Sequence, residues 1–269
     1  MKVNSIEVLP GLISRLLAIV AILLLPGCAT VPSSVDSAAL AAIKRVAVVS
    51  VAGRDLVQQH VGTTMFNNTV RTHNVSYWGL DEHWEELMFD SVAAAGSFEP
   101  VRANVDQTTL DALAAVNNPS AGFMLSTQAW TAAQESLQAL ASQSGANAIL
   151  LLVRAAVGDY LGNTNQVLKG LGIYTRGFFG STQTASLHLV ADLYLIDGGT
   201  GRPLAGVMLF DGDRPLASVP ATLRETALSD LSEEEKDKVR KQALDLPAAA
   251  MGPTVAKLLK PRELAAGAQ

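Results

Sequence analysis

Residues 146–157 read ANAILLLVRAAV, and 148–153 are apolar without a break. Directly after a helix-like stretch, an uninterrupted apolar run of this length reads as a strand buried on both faces. Residues 44–51, KRVAVVSV, form a second β-branched run with turn chemistry behind them at Gly53, and they read as a buried central strand. What lies between such strands decides the fold class, and helical periods there would make it α/β.

The rest of the chain supplies them. From Asp81, the residues Trp84, Leu87, Met88, Val92 and Ala95 recur on one helical face, with Asp81 as N-cap and Gly96 as stop. SFEPVRA then gives a short strand, and 108–116 a second helix. A third helix begins near Ser126, lines up Trp130, Ala133, Leu137, Leu140 and Ala141, and ends at Gly145. In TASLHLVADLYLID, Leu187, Leu189, Ala191, Leu193 and Leu195 share one face; GGTGRP turns the chain and LAGVMLFDG returns, a β-hairpin. Ser232 and Glu235 form a capping box for a charged helix with Glu234–Lys238 and Asp237–Lys241 pairs. Pro247 and Pro253 are expected to interrupt the chain beyond that helix, before TVAKLLK. Residues 54–79 show no clean period and read as strand and loop. Strands separated by helices predict an α/β fold: a mixed sheet with helices packed on it and a late antiparallel hairpin at an edge, in a single domain over 44–260, with a tail at 261–269.

The only cysteine among the 269 residues is Cys28. It follows Lys2 and Arg15, with Glu7 the one acid before it, and an uncharged apolar run over 16–25. Ten helical residues rise about 15 Å, half a bilayer core, which suits an export signal better than a permanent span. Leu25-Pro26-Gly27-Cys28 resembles a bacterial lipobox. The resemblance implies removal of 1–27 as a signal peptide and acylation of the Cys28 thiol. With Ala29 following, it also implies retention at the outer membrane, periplasm-facing and held through several buried acyl chains. Residues 28–43, rich in Ser, Pro and Ala, are expected to be a flexible tether of at most about 50 Å. Beyond Cys28 no thiol remains for a disulfide, a thiolate metal site or a cysteine nucleophile. A formal net charge of −5 carries no footprint for nucleic acid.

KRVAVVSV, GANAILLLV and VADLYLIDGGTGRPLAG together resemble a superfamily of envelope lipoproteins. It includes the N-terminal domain of TolB, the lipoprotein activators of penicillin-binding proteins and the curli secretion channel subunit. The matching steps are Gly145-Ala146-Asn147-Ala148 and Asp197-Gly198-Gly199-Thr200-Gly201, over roughly 44–210. They are turns and strand starts, so the resemblance implies a compact α/β domain with a mixed sheet and carries no catalytic residue.

Residues 158–180 place six glycines among aromatic and aliphatic residues. Leu168, Leu171, Ile173, Tyr174, Phe178 and Phe179 are the candidate partner-binding residues, a docking loop for an envelope protein, a sister subunit or the bilayer surface. The alternative is an extended hairpin folded back on its own domain. His83 and Glu86 have i, i+3 spacing without a second histidine, so no metal site is expected. Ser181, His188 and Asp192 are close in sequence, and His188 and Asp192 share a strand face, but no Gly-x-Ser-x-Gly accompanies them. The chain is therefore expected to be a non-enzymatic lipoprotein without cofactors. It would act by protein–protein contact in the cell envelope as an assembly factor, scaffold or activator. A homo-oligomeric secretion channel subunit and an envelope hydrolase are the alternatives.

Overall fold

The computed structural model describes residues 31–114, 116–117, 127–178, 181–209, 216–219 and 226–261. The expected signal peptide and Cys28 lie outside them. In chain order the described elements are α1 (Ser37–Ala42), β1 (Arg45–Ser50), β2 (Asp55–Val61), β3 (Thr69–Asn74), α2 (Leu80–Ala94), β4 (Glu99–Arg102), α3 (Gln107–Ala114) and α4 (Thr127–Ser144). There follow β5 (Ala148–Arg154), β6 (Ala156–Gly158), β7 (Val167–Phe178), β8 (Ser181–Asp197), β9 (Pro203–Met208), β10 (Leu216–Ser218), α5 (Glu233–Asp245) and α6 (Ala248–Leu258).

The two apolar runs, β1 and β5, lie side by side in parallel, Val46 opposite Ala148 and Ser50 opposite Leu152. β4 runs parallel on the other side of β1. Val46, Val48, Leu150 and Leu152 point to a face covered by α2, α5 and α6 through Trp84, Met88, Val92, Val239, Ala243, Met251 and Val255. Ala47, Val49, Ile149, Leu151 and Val153 point to the opposite face, covered by α4 through Trp130, Ala133, Leu137 and Leu140. Helices thus pack on both faces of these strands.

The sheet runs β3-β2-β7-β8-β5-β1-β4, with β6, β9 and β10 joined beside that path. β8 is 17 residues long and ties the sheet together. Its first half pairs antiparallel with β7, from Phe178 opposite Ser181 to Gly170 opposite Val190. Its second half pairs antiparallel with β5 and β9. The antiparallel β8–β9 hairpin is present as expected, but β8 is central and not an edge strand. A chain alternating with leucines on one face and Val190, Tyr194 and Ile196 on the other has two apolar faces to bury.

The two steps that carried the family resemblance meet in space. Gly145 takes φ 65°, and the N–H of Ala146 reaches back to the Ala141 carbonyl, closing α4. Asn147 Oδ1 then accepts from the N–H groups of Lys44 and Arg45 at 3.1 Å each, aligning the starts of β5 and β1. Asp197 Oδ1 accepts from the N–H and hydroxyl of Thr200, and Gly198 N–H donates to the Asn147 carbonyl. Both motifs thus register neighbouring strands, the compact α/β layout that the resemblance implied.

Several expectations are corrected. Asp81 does not cap α2; Gly79 does, at φ 68°, and the Asp81 carboxylate accepts instead from Ser50 Oγ at 2.6 Å and Gly53 N–H at 2.8 Å. Part of the stretch 28–43, expected to be a flexible tether, is docked on the domain, beginning with the Pro32 carbonyl, which accepts from Gly206 N–H. Asp36 caps α1, Val35 bridges to Pro261, and Val35, Leu40 and Ile43 are buried, because this stretch carries enough apolar surface to dock. Pro253 does not end a helix but lies inside α6. The capping box at Ser232 and both i, i+4 ion pairs of α5 form as expected. The described residues form one compact unit.

Candidate functional site

The glycine- and aromatic-rich stretch expected to be a docking loop is largely strand β7. Leu168, Leu171, Ile173 and Tyr174 have no exposed surface, so they offer nothing to a partner. The alternative reading holds: the segment is one arm of a long hairpin with β8. Its glycines serve close packing. A side chain at Gly172 would meet His188 Cε1 at 2.5 Å and the Val57 carbonyl at 2.8 Å. The side chain of Phe178, and Phe179 altogether, lie outside the described residues.

The preceding loop folds onto the same hairpin. Asp159 is buried and accepts from the N–H groups of Leu161 and Gly162, from Thr164 Oγ1 at 2.5 Å and from Tyr174 Oη at 2.8 Å. Burial alone would raise its pKa, but these hydrogen bonds outweigh it and hold the carboxyl below its ordinary range. The loop covers Val157, Leu168, Tyr174 and Val190, a small core of its own.

Exposed apolar surface lies one strand further out. Of the six large hydrophobic residues left exposed among the described residues, four fall between 65 and 77: Met65 at 77%, Phe66 at 90%, Val70 at 62% and Tyr77 at 73%. They decorate β3 and the turns at its two ends. β3 pairs on one side with β2, Asp55 opposite Asn74 through His60 opposite Thr69, and it ends the strand path on the other. Neither of its faces is covered; only His73 is half-buried. The strand is nevertheless held in place at its root. His73 Nε2 lies 3.2 Å from Gln58 Oε1, which also accepts from Leu228 N–H, while Gln58 Nε2 donates to the Thr226 carbonyl. Arg240 Nε donates to the Trp78 carbonyl and ties the following turn to α5. An ordered open edge with unpaired backbone groups is a template for an added strand.

Sequence reasoning missed this surface because it sought one apolar face. The stretch TMFNNTVRTHNVSYW has isolated apolar residues and two polar strand faces. That pattern belongs to an edge strand, and the signal available was the β-branched Thr69, Val70 and Thr72 between asparagine-rich turns.

The remaining candidates do not assemble. His188 is 1% exposed, neither ring nitrogen has a partner, and burial lowers its pKa to about 4. Asp192 instead accepts from Tyr194 Oη at 3.2 Å, and burial raises it to about 6. Glu86 is engaged by the Arg102 guanidinium, not by His83. Asp81 and Glu85 both face the end of β1, where Glu85 accepts from Ser50 N–H at 2.9 Å and burial pushes it up to about 7. Among the described residues no group of three His, Cys, Asp or Glu side chains is placed to hold a metal. None of their helices is long and apolar enough to cross a membrane.

No family model matches the chain, and no curated protein matches its sequence. Among solved structures, a dodecameric PelC variant from Paraburkholderia phytofirmans is similar, at 10% identity and a TM-score of 0.27, over 84% of this chain and 95% of that one. At that score the likeness transfers neither assembly nor biology to this chain.

Proposed function

We propose that the chain is a lipoprotein anchored at the outer membrane through Cys28, acting by protein–protein contact in the cell envelope through the open edge of β3. The observation that carries this reading is the exposure of Met65, Phe66, Val70 and Tyr77 along β3 and at its two ends, on a strand that among the described residues pairs with β2 alone. A strand added to β3 gains backbone hydrogen bonds, and burying the Phe66 and Val70 side chains contributes roughly 1.5–3 kcal/mol each. With the Pro32 carbonyl accepting from Gly206 N–H, only residues 28–31 separate the lipid from the folded domain. That is a reach of at most about 15 Å, which keeps the domain near the membrane.

A second reading has the same edge pair with another copy of this chain. β3 and β4 end the strand path. β4 has four residues and includes Pro100, which has no N–H to offer, so β3 is the edge suited to pairing. Two β3 edges meeting across a two-fold axis would form an isologous dimer.

A photo-crosslinking side chain at Phe66 in intact cells tests both. A discrete adduct that disappears when Val70→Lys is added supports the contact. A mass of twice the chain assigns it to self-association, and another mass assigns it to a partner. An edge that yields no adduct refutes the proposal.

A further inference from the structure

We propose that a cleft at the carboxyl ends of β1 and β5 binds a small organic carboxylate with an apolar body. Its place in the fold comes first. β1 lies between β4 and β5, and the chain reaches β4 by α2 on one face and β5 by α3 and α4 on the other. The strand order therefore diverges at β1, and in open α/β sheets the crevice outside the strand ends at such a point is where ligands sit.

The cleft has a volume of about 460 Å³, in the range of small-molecule sites. Val51 and Leu110 make an apolar wall; Arg54, Asn74, Asn117 and Arg154 supply polar groups. Several groups around it already have partners. Asp55 Oδ2 accepts from Arg154 Nη1 at 3.0 Å, and Asp111 Oδ1 accepts from Gln107 Nε2 at 2.7 Å. Asn117 Oδ1 accepts from the Arg154 N–H, and its Nδ2 donates to the Val51 carbonyl. Asn74 Oδ1 accepts from Ser76, which leaves its Nδ2.

The two guanidinium groups of the lining keep donors to spare. Arg154 has a side chain only 12% exposed and a single carboxylate partner; its Nε, which has no acceptor, packs against Gly170, so the donors it can turn to the cleft are those of its Nη groups. The Arg54 side chain makes no hydrogen bond among the described residues. A guanidinium removed from water with donors unmet is destabilising until an acceptor arrives, and a planar carboxylate matches its fork. Arg54 and Arg154 are balanced by Asp55 and Asp111. A singly charged carboxylate therefore suits the cleft better than a doubly charged phosphate.

Benzoate, benzamide and inorganic phosphate, titrated into the full-length protein and followed by ligand-observed NMR, test this. Benzoate is expected to bind saturably, about tenfold more tightly than either of the others and about tenfold more weakly to Arg54→Gln, the loss of one charge-assisted hydrogen bond. Asp111→Asn removes a negative charge from the rim and should tighten benzoate binding about threefold or more. It decides the matter should Arg54→Gln fail to fold. Absence of saturable benzoate binding, equal binding of benzamide or phosphate, or affinity unmoved by these substitutions overturns the assignment.

Discussion

His188 should make the protein acid-sensitive in a way that a single substitution exposes. The ring is enclosed between β7 and β8, and the one charged group near enough to favour its protonation is Asp159, whose carboxylate is already satisfied by four donors. Its folded pKa is about 4, against an ordinary value of 6.5. A histidine lowered in the fold stabilises it fully above its unfolded pKa, and that contribution drains away as pH falls from 6.5 towards 4. At about 1.4 kcal/mol per pH unit, the loss by pH ~4.5 is about 2.7 kcal/mol. Buried carboxylates work in the opposite direction. Asp192 and Glu85, raised to about 6 and about 7, favour folding more as pH falls, so the total pH profile conceals the histidine. The comparison that isolates it is wild type against His188→Leu, since both share those carboxylates. Urea unfolding followed by fluorescence of the buried Trp78, Trp84 and Trp130 gives each stability. Between about pH 7.5 and pH 4.5 the wild type should lose about 2–3 kcal/mol relative to the variant. A difference that stays constant across that range would refute the reasoning, and would mean that the ring finds a proton acceptor or water.

Glu85→Gln keeps the acceptor for Ser50 N–H and removes a charge that the fold disfavours. The variant should be more stable than wild type at pH ~8 by about 1–2 kcal/mol, the full shift being reduced by partial solvent screening, with the gap closing by pH ~4.5 in the same unfolding assay. Gly172→Ala should destabilise by about 1–3 kcal/mol, because the new methyl meets His188 and the Val57 carbonyl; pairing it with His188→Ala should recover part of that cost in a double-mutant cycle. Cys28→Ala should abolish incorporation of radiolabelled palmitate, and labelling that persists on the variant would exclude thiol acylation at this position.

Much of the layered fold was legible because burial on both sides of a strand leaves a continuous apolar run, and helix faces leave a period. Residues 148–153, the Trp84-to-Val92 face and the Trp130-to-Ala141 face all read correctly for that reason. The candidate surface was not legible. Leu171, Ile173 and Tyr174 looked like loop residues among glycines, yet those glycines let a strand pack closely against His188. Met65, Phe66 and Val70 looked unremarkable, since only the position of β3 at the end of the path leaves them in water. Asp81 had the composition of an N-cap, but Gly79 turned the chain first and freed the carboxylate for Ser50.

From sequence alone come the α/β class, the main helices and the stops at Gly96 and Gly145, together with the lipobox-like motif on which the proposed lipidation of Cys28 rests. Each is set by local chemistry or by a period along a few turns of chain. Which strands are central, which edge stays open and which arginines share a cleft were decided only by tertiary structure. These depend on pairings between residues far apart in the chain, such as Arg154 with Asp55 across 99 positions and Gln58 with Thr226 across 168. No local pattern encodes such a pairing, because its free energy exists only once both segments are in place in the fold.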